Sequence, residues 1–171
     1  MVMSVTLYEV ALPPMERGLD NLSALLDKAQ AFAAARKFDP VVLVQARLYP
    51  DMFPLSRQVQ IACDGAKGAA ARLAGIEVPK HEDNEATLAE LKQRIAKTLD
   101  FLRSVRPDQL ASASGRTIEL KLANGTLSFS ARAYLTDFVL PNFYFHSSMV
   151  YALLRHNGVE VGKLDFLGKI Q

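Results

Sequence analysis

Leu88, Leu91, Ile95, Leu99 and Leu102 recur at intervals of three and four residues between about Glu85 and Val105. That spacing lays one apolar stripe along a helix, and such a stripe is stable only when another element covers it. Three further stretches carry the same period. Leu12, Met15, Leu19, Leu22, Leu26, Ala29 and Phe32 mark a helix running to about Lys37, and Leu55, Val59, Ala62, Ala66, Ala69 and Leu73 mark one ending at Gly75. A fourth extends from Ala131 to about His156. Four stripes that must cover one another predict an all-α fold, a helical bundle. Half of the 171 residues are hydrophobic, enough to fill one core, so residues 1–171 are read as a single domain without internal repeats.

The breaks between helices are equally legible. Ser4 is placed to cap the first helix, and Pro13-Pro14 should kink or divide it, because each proline removes a backbone donor. Asp39-Pro40 reads as a new start, with a short helical piece in VVLVQARL and an interruption at Tyr49-Pro50-Asp51. The second helix resumes near Phe53-Pro54. A polar connection from Ile76 to Glu85 carries His81, read as a solvated loop residue, and Arg106-Pro107 ends the third helix. The period then changes. Thr117–Ala123 and Thr126–Ser130 alternate around Asn124-Gly125, the signature of a β-hairpin (about 117–130) with a type I′ turn just before the last helix. Ser130 caps that last helix, Pro141 bends it, and Asn157-Gly158 ends it in a left-handed cap. Phe166 and Leu167 in the tail are placed to fold back on the bundle. The long connections leave the helix order open.

Composition excludes several classes of function. The net charge is +2 and the basic residues form no run, so a nucleic-acid partner is not expected. The segment MVMSVTLYEVALPP lacks the pattern of a signal peptide, and no apolar run is long enough to span a bilayer, so no membrane role is expected. A lone Cys63 fits a reducing, cytoplasmic location, and its small-residue surroundings suit packing rather than reactivity.

The candidate site lies on the last helix. Asn142 and His146 stand one turn apart in a stripe with Val139, Met149 and Leu153, so both polar groups should point inward. The second helix offers Gln58 at the edge of its alanine-rich stripe, where Gly65 permits a close helix approach. Arg57, Gln60, Asp64 and Lys67 share a face read as mostly solvated, with the rotation leaving Gln60 and Asp64 open to either side. A buried histidine without a partner costs roughly 1–3 kcal/mol. Asn142 or a glutamine of the second helix would supply that partner. His156 reads as a helix-end residue that complements the dipole. Tyr134, Phe138, Tyr144 and Tyr151 lie off this stripe, free to pack on the tail or to form a dimer contact. No Ser-His-Asp, Cys-His or phosphate-loop pattern is present.

The segment NFYFHSSMVYALLRHNG resembles the last helix of the DinB/YfiT-like superfamily, four-helix bundles regarded as metalloenzymes. ARLAG at Ala71–Gly75 resembles the end of that superfamily's second helix. DMFPLSRQVQIACD, KGAAARLAG, VLPNFYFH, LRHNGVEVGK and DFLG extend the likeness over most of the chain, to a branch of bacterial proteins of unknown function. The resemblance implies a four-helix bundle, a homodimer formed through helices, and a divalent metal held by three histidines. Counting back from Gly158 puts the second histidine at His146 and the first at Asn142; the region of the third offers Gln58 and Gln60. Only one imidazole of three is retained, and neutral amides are poor donors to zinc or nickel. The expectation is a small-molecule-binding bundle with a degenerate metal site. His146 would be its base or sole imidazole ligand, with Asn142 and Gln58 beside it. The alternatives are a non-catalytic dimeric bundle, in which Asn142 and His146 form a buried hydrogen-bond network, and an active divalent-metal-dependent transferase or hydrolase.

Overall fold

A computed structural model describes residues 5–122 and 124–169. The first helix, α1, spans Leu7–Arg36. Ser4 lies outside the described residues. The cap is Thr6, whose side chain accepts from the Glu9 amide while Glu9 accepts from the Thr6 amide at 2.8 Å. Of the two outcomes expected at Pro13 and Pro14, a kink or a division, the division does not occur, and the helix is continuous through them. Their fixed φ is compatible with an α-helix, and Leu12, Met15 and Leu19 anchor the turns on either side in the core. Only Val41–Val44 of the next stretch is helical (α2). The second long helix, α3, then runs from Leu55 to Ala74 and ends on Gly75 at φ 72°. The third, α4 (Leu88–Ser104), is opened by a Thr87–Glu90 capping box and carries all five predicted stripe residues into the core.

A short helix, α5 (Pro107–Ala111), and a 3₁₀ turn, Ser112–Gly115, lead to the hairpin. Strands β1 (Thr117–Leu122) and β2 (Gly125–Ser130) pair antiparallel with Ile118 opposite Phe129. Leu122 pairs with Gly125, so the turn is centred one residue earlier than Asn124-Gly125. Gly125, at φ 138°, instead opens the return strand in a backbone geometry that favours glycine. Ala123 lies outside the described residues. The last helix begins as α6 (Ala131–Ala133), capped by the Ser130 side chain, passes through a π-helical stretch at Tyr134–Val139, and continues as α7 (Leu140–His156). The irregularity therefore precedes Pro141. Proline lacks an N–H and crowds the preceding turn, and the wider π-helical turn accommodates both effects. Gly158, at φ 90°, follows the helix end.

The four long helices pack as a ring in the order α1, α4, α3, α7, with α1 and α3 also touching across the middle. The first two long helices of the chain, α1 and α3, are therefore diagonal. The most extensive packing joins α3 to α7, where a side chain at Gly65 would start only 3.5 Å from the Asn142 amide. The hairpin covers Tyr134 and Phe138 with Phe129. The tail forms α8 (Lys163–Leu167) and folds back as expected: Phe166 meets Tyr151 edge-on, and its carbonyl accepts from Asn21 at 2.9 Å. No helix among the described residues is long and apolar enough to cross a membrane.

Candidate functional site

Gln58 and His146, 88 residues apart in sequence, meet where α3 packs on α7. His146 Nδ1 lies 2.7 Å from Gln58 Oε1, and Gln58 Nε2 donates to the Phe53 carbonyl at 3.2 Å. The second bond orients the amide. With its nitrogen committed to Phe53, Gln58 presents oxygen to the histidine, so Nδ1 carries the proton and donates. Nε2 is left with its lone pair. It has no hydrogen-bond partner among the described residues, yet it is not among the occluded polar atoms, and the residue as a whole is 8% exposed. Burial pushes the His146 pKa down from its ordinary 6.5, and the nearby Arg57 charge pushes the same way. The result is a neutral imidazole in one tautomer with one available nitrogen. Phe145, half-exposed, stands edge-on to the ring at 5.1 Å.

Asn142 is only half-buried and makes no hydrogen bond to His146. One turn of helix places it over Gly65 instead. Gln60 is not at this site. The metal implied by the family resemblance does not fit the residues present. Gln58 spends both amide atoms on protein partners, and no group of three or more His, Cys, Asp or Glu side chains among the described residues could hold a metal ion. The five main cavities are lined by residues other than Gln58, Asn142 and His146.

The opposite flank of α3 corrects the sequence reading. The face of Arg57, Gln60, Asp64 and Lys67 is only partly solvated: Gln60 and Lys67 are each 5% exposed, whereas the Arg57 and Asp64 side chains stay in contact with water. At the centre of this flank is Arg94 of α4, 2% exposed. Its guanidinium reaches Asp64 at 2.7 Å, Asp83 at 2.9 Å, Glu85 at 2.9 Å and the Glu82 carbonyl at 3.0 Å. Gln60 donates to Glu85 at 2.9 Å, Lys67 pairs with Asp64, and Arg57 pairs with Asp83. Burial alone raises the Asp83 and Glu85 pKa values. Hydrogen bonds from arginine outweigh it, from Arg57 and Arg94 to Asp83 and from Arg94 to Glu85, and hold both below the usual range. Arg94 sits three residues after Leu91 and one before Ile95, so its inward position was implicit in the α4 stripe. The signal was present and pointed to a buried charge.

His81 is half-buried rather than solvated, with Nδ1 occluded and unpartnered, and burial followed by the Lys67 and Arg94 charges lowers its pKa. Cys63 is fully buried, which pushes its thiol pKa up to about 12 and makes it an inert packing residue. His156 is exposed in the last turn of α7, as expected of a helix-end residue.

This architecture can be set beside known proteins. The family model "Domain of unknown function (DUF1993)" matches residues 7–167. The chain belongs to this family. Its fold is also similar to the crystal structure of a DinB family member protein from Shewanella denitrificans, with a TM-score of 0.89 at 44% sequence identity over 96% of this chain and 93% of that one. The DinB-like bundle with a hairpin before its last helix, expected from the sequence, is thereby shown. No curated protein matches the chain.

Proposed function

We propose that this DUF1993 protein binds a small molecule at His146 and uses the imidazole Nε2 as a hydrogen-bond acceptor or base, with no tightly held transition metal. The observation that carries the reading is the 2.7 Å bond between His146 Nδ1 and Gln58 Oε1. It holds the ring in one orientation and one tautomer, as the positioning partner of a catalytic or ligand-binding histidine does. A ligand presenting an O–H, N–H or S–H group would donate to Nε2. In a reaction, the same nitrogen would take the proton as general base.

A second reading rests on the aromatic surface around His146. Phe53 and Phe145 are 52% and 53% exposed, suiting contact with a second copy of the chain, and Gln58–His146 would then only fix helix register. One set of measurements separates the readings. Tag-free protein and His146→Ala are compared for metal content by plasma mass spectrometry. The His146 ring nitrogens are followed by NMR during titration with small alcohols, thiols and amines. The proposal expects substoichiometric metal and a selective shift of Nε2 with at least one of these classes. Near-stoichiometric metal lost in His146→Ala would overturn it in favour of a metal-dependent transferase or hydrolase. No shift, together with a lowered melting temperature and a dimer in sedimentation, would overturn it in favour of the structural bundle.

A further inference from the structure

Ser147 follows His146 but points elsewhere, because successive residues on a helix diverge by about 100°. Its side lines a cavity of about 200 Å³ enclosed by α1, α7 and α8. Leu22, Leu25, Phe143 and Phe166 supply apolar walls, and Gly18 lets the Phe143 ring lie against α1, since a Cβ there would sit 2.7 Å from the ring. Within this apolar space is an unexplained polar group. Ser147 is 2% exposed and its Oγ has no partner, although a helical serine can bond back to the carbonyl four residues earlier. A buried hydroxyl left unpaired is costly, and a water needs two or more polar partners to be held well. Asn21, which also lines the cavity, donates through Nδ2 to the Phe166 carbonyl and makes no bond to Ser147.

Arg17 also lines the cavity and makes no ion pair among the described residues. Over the cavity lies α8, held down by Asp165 on Lys28 at 2.8 Å and by the Asn21 bond. An apolar cavity of about 150 Å³ accepts benzene. This one has room for a single ring with a substituent, and its cation and free hydroxyl donor call for an anionic acceptor. We propose that it binds a small aromatic carboxylate, the ring among the apolar walls and the carboxylate accepting from Ser147 Oγ and the Arg17 guanidinium.

The test uses the full chain and benzoate, with benzyl alcohol as the neutral comparison, followed by amide NMR titration. Saturable shifts are expected on α1, α7 and α8, with benzoate binding more tightly than the alcohol. Arg17→Ala should weaken benzoate by about tenfold or more, as loss of a charge-assisted hydrogen bond does, and Arg17→Lys should recover part of it. Ser147→Ala should weaken it roughly three- to tenfold. His146→Ala should leave it intact, which keeps this site separate from the one around Nε2. Absence of saturable shifts at millimolar benzoate overturns the proposal, as does unchanged affinity in both Arg17→Ala and Ser147→Ala. Arg17 is exposed, so its variant remains informative if the serine variant folds poorly.

Discussion

Buried polar groups flank α3 on two sides and are satisfied in opposite ways. Toward α4, three cations and three carboxylates neutralise one another around Arg94, and most of the donors and acceptors are spent internally. Toward α7, a neutral pair, Gln58 and His146, is held by two hydrogen bonds and leaves the His146 Nε2 lone pair without a partner. The first arrangement is closed in charge, with the Arg94 Nε–H left unpartnered, and the second keeps an acceptor nitrogen open. A closed charge cluster pins the 76–87 loop to α3 and α4, at the cost of desolvating a guanidinium. An open imidazole adds less to stability but retains chemical capacity.

The largest effect expected from breaking this comparison is on the charged side. Arg94→Ala removes the counter-charge of Asp64, Asp83 and Glu85 and should destabilise the fold by about 3 kcal/mol, measured by urea unfolding. That is the low end for a broken buried pair, because Asp64 and Asp83 keep contact with water, with side chains 37% and 40% exposed. On the neutral side, His146→Ala leaves Gln58 Oε1 without its donor and should cost less in the same assay, about 1 kcal/mol, the low end for an unsatisfied neutral acceptor. Equal costs for the two variants would contradict the distinction.

The smallest effect is the most specific. Gln58→Glu places a carboxylate against the Nδ1 proton and should raise the His146 pKa by about one unit or more, seen in ring NMR titrations. In the wild type the sign is reversed. The folded-state value lies below the ordinary 6.5, so the unfolded chain takes up the proton first as pH falls. Stability from this group is full above that value and declines below it. Gln58→Glu should weaken or invert that decline.

Much of the fold could be read before any coordinates, because local physics dictates it. The α4 stripe, the Gly75 and Gly158 helix ends and the alternating hairpin strands depend on neighbours within a few residues. Misreadings arose where a local rule met a competing constraint. Pro13-Pro14 should kink or divide a helix, yet the helix runs on through them, with the turns on either side buried. Asn124-Gly125 should centre a turn, yet strand pairing moved it by one residue. The candidate site was only half legible. His146 was expected to face inward and to meet a partner, but Gln58 and Gln60 of α3 and Asn142 of α7 all qualified.

Sequence alone, then, determined the number of long helices, their inner faces and the single imidazole on the last of them. Each follows from residue type and period. Tertiary structure decided the rest, namely the diagonal placement of α1 and α3, the choice of Gln58 over Gln60 and Asn142, and the burial of Arg94. The reason is geometric. A helix period fixes which side of a helix is apolar, whereas about 100° of rotation per residue separates one candidate partner from the next. Which of them is met depends on how the neighbouring helix docks, and here the extensive packing of α3 on α7 brings Gln58 to His146.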